Sequence, residues 1–289
     1  MISAEPSRDQ LSTTPITNYF AIAKLLQDRE VGTVPVPLCS FSVGYTSFHL
    51  AYDPSIKSIS VDDTALKFGL PDLRPAIADF LGHEAAHGLD FVHMIGGAKR
   101  AGPTASLPFE KIQVWFKLQL QDTNFHDIHI IRPAQTLNCS PPSAVWTCSR
   151  YDPVIVNNDA RCSWPTDGLC GHIVSEIWLI LHPIGKTGTN WSWKDRFLTY
   201  VYCFDIVSQG GHDCEPSTQL HILKCAKCSN GTWVGDVIPI TQLRAPVNIV
   251  PRFGASTDNH LTPYNSMEHA SEFWLNKYWD KNTFFPLSM

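Results

Sequence analysis

The sequence predicts an α+β protein, a small N-terminal helical unit followed by an antiparallel β barrel or sandwich. Three observations point there. Between His172 and Pro251 the chain reads as successive short strands: His172 to Pro183, Arg196 to Val207, Leu220 to Leu223, Val234 to Ile240 and Val247 to Val250. Gly, Pro and Asn punctuate them, and no crossover helix long enough for parallel pairing intervenes. Lys111 to Gln121 alternates strictly, Ile112, Val114, Phe116, Leu118 and Leu120 facing one way, which is the period of a half-buried strand. Upstream, helix start and stop signals cluster over residues 60–81. The division expected is a disordered N-terminus over 1–12, a mainly helical unit over 13–95, a linker over 96–108 and a β-rich, barrel-like domain over 109–289.

Along the chain, Thr14 and Pro15 can start a helix whose apolar stripe is Phe20, Ile22, Leu25 and Leu26, running to about Arg29. Pro35 and Pro37 hold Val31 to Leu38 extended. Phe41 to Tyr52 reads as one strand. Ser60 caps a helix begun by Val61-Asp62-Asp63 and ended by Gly69, since a hydroxyl and early carboxylates meet unpaired amides there. A second helix starts near Pro71-Asp72 and runs through Leu73, Ile77 and Phe80. Ile128 to Ile131 continues the strand pattern, Asn138 to Pro142 turns, and Tyr151 to Asn157 is a further strand. Glu272 to Tyr278, with Phe284 and Phe285, closes the core.

A formal charge of −5 without Lys/Arg clusters leaves no broad face to neutralise phosphates, so weak or no nucleic-acid binding is expected of this chain alone. Met1 to Gln10 is polar and holds no export-signal core, and no apolar run reaches the ~18 residues of a membrane helix. The expectation is an intracellular protein, nuclear or cytoplasmic, not secreted, not in a membrane, with its nine cysteines reduced.

The sharpest motif is His83-Glu84-Ala85-Ala86-His87. On a helix the two imidazoles share a face and can hold one zinc, with Glu84 as general base on metal-bound water and His93 placed as third ligand. Locally this resembles the metzincin proteases, but Asp90 stands where their chain-turning glycine belongs, and no Met-turn follows. The alternative to catalysis is a polar helix end stopped at Gly88. Cys225-Ala226-Lys227-Cys228 has zinc-knuckle spacing without a well-spaced second pair; Cys203, Cys214, His212 and His221 lie near in sequence. Ala65 and Gly69 have helix-turn-helix spacing, opposed by Asp72 and Asp79 against a lone Arg74. Nucleophile elbows, phosphate loops and dinucleotide fingerprints are missing from the sequence. The tryptophans (Trp115, Trp146, Trp164, Trp178, Trp191, Trp193, Trp233, Trp274, Trp279) read mostly as core or rim, an aromatic binding face being the alternative.

Several stretches, in order, resemble the C-terminal region of Plavaka-type (KDZ-like) transposases of basidiomycete fungi. They are Phe48-His49-Leu50-Ala51, Phe68-Gly69-Leu70-Pro71-Asp72-Leu73-Arg74-Pro75-Ala76, Gln113-Val114-Trp115-Phe116-Lys117, Ser140-Pro141-Pro142, Val237-Ile238-Pro239-Ile240, Val250-Pro251-Arg252-Phe253-Gly254 and Phe273-Trp274-Leu275-Asn276-Lys277-Tyr278. In such elements the catalytic carboxylates belong to an RNase H-like domain upstream. The resemblance therefore implies a chain without that domain and without a catalytic residue to carry over. It also implies Arg near the positions of Cys203, Cys225, Cys228, Trp233 and His260, each one transition from an Arg codon, the pattern of a degenerate copy. Separately, the ladder from Val174 to Val250, with Tyr202-Cys203-Phe204-Asp205 at its centre, is similar to bromo-adjacent-homology chromatin modules. The expected function is thus a non-catalytic, transposon-derived accessory or interaction module with an unknown protein or chromatin partner and no cofactor. The alternatives are a zinc metallopeptidase and a helix-turn-helix DNA-binding fragment.

Overall fold

The computed structural model describes residues 16–29, 39–89, 91–96, 100–145, 147–185, 196–208, 213–229, 231–253, 262 and 265–289. Outside the described residues lie the N-terminus over 1–12, the Thr14-Pro15 helix start, the Val31 to Leu38 stretch, Asp90, Trp146, Trp191, Trp193, His212 and His260.

The first half holds α1 (Tyr19–Arg29), β1 (Ser40–Val43), β2 (Thr46–His49), β3 (Ile56–Ser60), α2 (Val61–Phe68), α3 (Leu73–His87), β4 (Lys111–Trp115), β5 (Lys117–Asp122), β6 (Gln135–Ser140) and β7 (Arg150–Tyr151). The rest holds β8 (Pro153–Asn157), β9 (His172–Pro183), β10 (Leu198–Ile206), β11 (His221–Cys225), β12 (Gly235–Pro239), β13 (Leu243–Pro246), β14 (Ile249–Pro251), α4 (Ser266–His269), β15 (Glu272–Leu275) and α5 (Lys281–Phe284). One sheet has the order β1-β2-β5-β6-β7; the other runs β13-β8-β9-β10-β11-β15-β14, with β12 beside β10, β4 beside β9 and β3 beside β4. Pairing is antiparallel throughout, and neither sheet closes on itself, so the architecture is a sandwich-like α+β fold and not a barrel.

Two strands belong to both sheets. Lys111 to Asp122 pairs as β4 with β9, bends at Phe116, and continues as β5 between β2 and β6. Tyr151 pairs with Cys139 in the first sheet, and after Asp152 the same strand pairs with β9 in the second. Such corners are how packed sheets share strands. The first bend corrects the strict alternation expected over 111–121. Ile112 and Val114 pack under the helices, whereas Trp115, Leu118 and Leu120 enter the core between the sheets, so Trp115 is 2% exposed.

That core also takes Phe48, Leu137, Ile177, Val201 and Ile238. On the far side of the second sheet, α2 and α3 bury Phe68, Leu73, Ile77 and Phe80 against Leu179, Leu198, Tyr200 and Val237. Side chains of this kind contribute roughly 1.5–3 kcal/mol each on burial. The segments expected as separate helical and β-rich units therefore share sheets and cores. The helix-pair signals hold at their ends: Ser60 Oγ accepts the Asp63 amide at 3.0 Å, and Gly69 ends α2 in the left-handed region at φ 67°.

Other expectations are corrected. α1 begins at Tyr19, later than the helix start expected, with Asn18 Oδ1 accepting the Ala21 amide at 3.0 Å as its cap. Phe41 to Tyr52 is a hairpin, not one strand, because Gly44 at φ 58° turns the chain between Val43 and Thr46. Ile128 to Ile131 is a turn closed by the Ile130 amide on the Asp127 carbonyl, and its isoleucines are half exposed. Asn138, read as a turn, is in β6. β3 and β13 carry no period long enough to have been read.

Candidate functional site

The histidine motif lies on the last turns of α3, but its members part company. His83 Nδ1 meets His93 Nδ1 at 3.3 Å, one ring donating to the other. His87 turns outward and stacks on Phe91 with ring centroids 4.6 Å apart. Glu84 forms an ion pair with Arg196, and its second oxygen is buried. The space among Phe80, His83, Glu84, His93 and Arg196 is about 10 Å³, the size of one water. Among the described residues no three His, Cys, Asp or Glu side chains converge so as to hold a metal ion. The geometry therefore does not fit the zinc reading: the first and fifth residues of the motif, their ring centroids 6.5 Å apart, are each taken by a different neighbour, His93 and Phe91, and the prospective base faces a guanidinium.

What the motif joins instead is a buried polar chain. His93, 1% exposed, sets its Nε2 3.4 Å from Asp236 Oδ2, and its amide donates to Gln242 Oε1 at 2.9 Å. Gln242 Nε2 donates to the carbonyls of His93 and Asn157 at 3.0 and 2.8 Å. Arg100 approaches Asp236 at 3.6 Å and pairs with Asp72, which accepts the Tyr200 hydroxyl at 2.6 Å. Burial works against the Arg100 charge, yet Asp236 and Asp72 hold its guanidinium above the ordinary arginine range. Burial, then the Asp72 charge, pushes the Tyr200 phenol well up, so it stays a donor. A side chain at Gly235 would strike the Tyr200 ring, which is why glycine stands there. The sequence reading reached His93 and Asp72 for other reasons and missed Asp236, Arg100 and Gln242, which carry no motif.

The Cys225-Ala-Lys-Cys228 pair sits where β11 turns toward β12. Cys225 lies opposite Phe204 in the ladder and Cys228 is exposed in the turn. Burial, then the Glu176 charge, raises the Cys225 thiol to about 11, which disfavours the thiolate a zinc ligand must supply. Cys214 Sγ lies 3.5 Å from the His221 ring, apart from that pair. In the α2–α3 pair, Arg74 is tied to Asp62 and Glu110 at 2.8 and 2.9 Å, and α3 turns its apolar face to the sheet. Among the described residues Lys67, exposed in the last turn of α2, is the lone basic side chain beside that turn that no ion pair takes up, too little charge to hold a duplex backbone.

A second site opens at the corner where Arg150 to Asn157 passes between sheets. Here lies a cleft of about 1370 Å³. Its centre is made by a β-bulge: Tyr200 pairs with Leu179 and Val201 with Ile177, leaving Trp178 unmatched in the ladder. An extra residue re-aims its side chain. Trp178 stacks on Tyr151 at 4.1 Å with 13° between planes, meets Trp233 edge-on at 6.1 Å, and donates its Nε1 to Glu176 Oε2 at 2.8 Å. Trp233 stays 38% exposed. The corner is pinned by Asp152 Oδ2, which accepts the Asn138 amide and side chain at 2.8 and 2.6 Å. The alternation of β9 hid this site, since its period assigns Trp178 a face that the bulge overrides.

The family profile described as a domain of unknown function, DUF6830, matches residues 20–223. The chain belongs to the DUF6830 family. The family segment takes in both sheet-switching strands, α2, α3 and the Trp178 bulge, and ends inside β11 at Leu223. No curated protein and no solved structure matches the chain.

Proposed function

We propose that this DUF6830 chain is a non-catalytic interaction module that binds an extended peptide segment of a partner protein in the cleft around Trp178 and Trp233. The observation that carries the reading is the bulge-mounted Trp178, locked by Tyr151 and Glu176 beside the half-open face of Trp233. Rigid aromatic side chains supply contact area at low entropic cost and dominate binding energies at interfaces. The cleft exceeds the roughly 300–1,000 Å³ of a small-molecule pocket, so a chain segment fits it better than a metabolite. Its charges are mixed, Lys117 and Arg150 against Asp152 and Glu176, and the whole chain carries −5, which favours a protein over a polyanion.

No helix of the described residues is long and apolar enough to cross a membrane. The resemblance of several ordered stretches to Plavaka-type transposases supports a transposon-derived accessory role, and with it a nuclear or cytoplasmic place and a chromatin-associated protein as partner. The test is selection of a displayed peptide library on the immobilised full chain, in parallel with Trp178→Ala and Trp233→Ala. The reading requires peptides enriched on the native chain and lost on both variants. Equal enrichment on all three, or none on any, overturns it.

A further inference from the structure

The hairpin loop between β8 and β9 carries two cysteines that the cleft and the histidine cluster leave unused. It is held shut at its base, where the Asn158 amide donates to the Gly171 carbonyl at 2.8 Å. Its interior is held by further hydrogen bonds: the Cys162 amide to Asp159 O at 3.1 Å, the Ser163 amide to Asp167 Oδ2 at 2.6 Å, the Cys170 amide to Asp167 O at 3.0 Å. This closure brings the two arms together, so that Cys162 Sγ lies against Gly171, the residue after Cys170, and within the influence of the Cys170 thiol. Gly171 has φ 69°, and a side chain there would collide with the Cys162 sulfur. Arg161, fixed on Asp159 at 2.7 Å, stands close enough for its guanidinium to be favoured by both thiols. Cys170 is exposed and Cys162 half-buried.

We propose that Cys162 and Cys170 form a redox-active thiol pair, which a low-molecular-weight disulfide converts into an intramolecular disulfide. In the first step the exposed Cys170 loses its proton to water, and its thiolate attacks one sulfur of the small disulfide. A mixed disulfide forms on Cys170 and one small thiolate leaves, taking up a proton. In the second step the Cys162 thiolate attacks Cys170 Sγ, closing the protein disulfide and expelling the second small thiol. Two protein thiols are oxidised by two electrons and the small disulfide is reduced to two thiols. Burial and the neighbouring Cys170 thiol raise the Cys162 thiol above its ordinary range, which makes it the resolving and not the attacking group. The loop is already shut, so closing the bond requires no unfolding. The other cysteines stand apart in this respect: Cys139 and Cys203 are buried, their thiols pushed up by desolvation.

The full chain is incubated with oxidised glutathione, the remaining thiols are alkylated, and linked peptides are mapped by mass spectrometry. The expected product lacks two hydrogens and joins Cys162 to Cys170. Cys162→Ser is expected to stop at a stable glutathione adduct on Cys170, whereas Cys170→Ser leaves Cys162 free of adduct. A native chain that accumulates the Cys170 adduct without closing, alkylates fully at both positions, or links Cys170 to Cys148 or Cys228 overturns the proposal. Because each serine variant has its own adduct pattern, failure of one to fold leaves the other to decide.

Discussion

Two regions of the molecule hold polar and aromatic side chains in fixed arrays, and they differ in what surrounds them. Beneath α3, the chain from His83 through His93, Asp236 and Arg100 to Asp72 and Tyr200 is sealed at its centre: His93 and Asp236 are each 1% exposed, the adjoining space holds about one water, and the chain reaches solvent at the Arg100–Asp72 pair. At the sheet-switching corner, Trp178, Tyr151 and Trp233 are equally well fixed to one another, yet they border a cleft of about 1370 Å³. The same device, groups held in place by neighbours, yields a tether in one region and a receiving surface in the other. Solvent access decides between them, not the identity of the residues.

The largest effect that would break this comparison lies in the sealed region. Asp236→Ala takes from buried His93 the carboxylate it faces and from the Val237 amide its acceptor, while Arg100 keeps Asp72, and leaving buried polar groups unpaired costs about 1–3 kcal/mol. Denaturant unfolding is expected to show that loss as a lower midpoint at unchanged slope. A loss under about 1 kcal/mol would mean that the chain beneath α3 is not a tether. Peptide binding by whatever fraction remains folded should be unchanged.

Trp233→Ala sharpens the other side. Its indole is 38% exposed and touches Trp178 and Tyr202 edge-on, so the truncation should cost little stability while weakening a selected peptide at least about tenfold, or ~1.4 kcal/mol. Titration calorimetry beside thermal unfolding separates the two quantities. A variant that loses stability and keeps its affinity would place Trp233 with the core.

Much of the fold was legible. The start of α2 at Ser60, its end at Gly69, and β9 over His172–Pro183 follow from caps and period. The site was not, for reasons that can be named. His83-Glu84-Ala85-Ala86-His87 fixes spacing along a helix axis, but whether three imidazoles converge depends on what the helix packs against. Here Asp236, distant in sequence, takes His93. Trp178 sits in an alternating strand, and a bulge set by its partner strand cannot be read from β9 alone. Trp115 was assigned to the wrong side because a strand that changes sheets keeps its alternation while its surroundings change.

Acid stability tests whether His49 and His172, outside both regions, govern the molecule's response to pH. Burial lowers the pKa of His49, which stacks on Tyr19, and of His172, whose ring also meets the Cys170 carbonyl. In both, the unfolded chain binds the proton at a higher pH than the folded one. Stability is therefore full above the ordinary histidine range and falls as pH drops through it. The double variant His49→Gln with His172→Gln should flatten that slope in unfolding followed from pH 7.5 downward. A slope that is unchanged in the double variant would overturn that assignment.

The smallest expected effect is also the most direct challenge to the sequence motif. His87 is the exposed member of the pair, ending α3 and stacked on Phe91, and a surface substitution away from buried partners changes stability by no more than about 0.5 kcal/mol. Were His87 a zinc ligand, His87→Ala would empty the site and lower the melting temperature in the presence of zinc but not of a chelator. With His87 turned from His83 and His93, melting curves of the native chain and the variant should superimpose in both conditions, and the metal content of both should be equal. A zinc-dependent gap between the two curves would mean that α3 rotates in solution to bring the rings together. The tether through Asp236 would then be a resting state and not the histidines' only role.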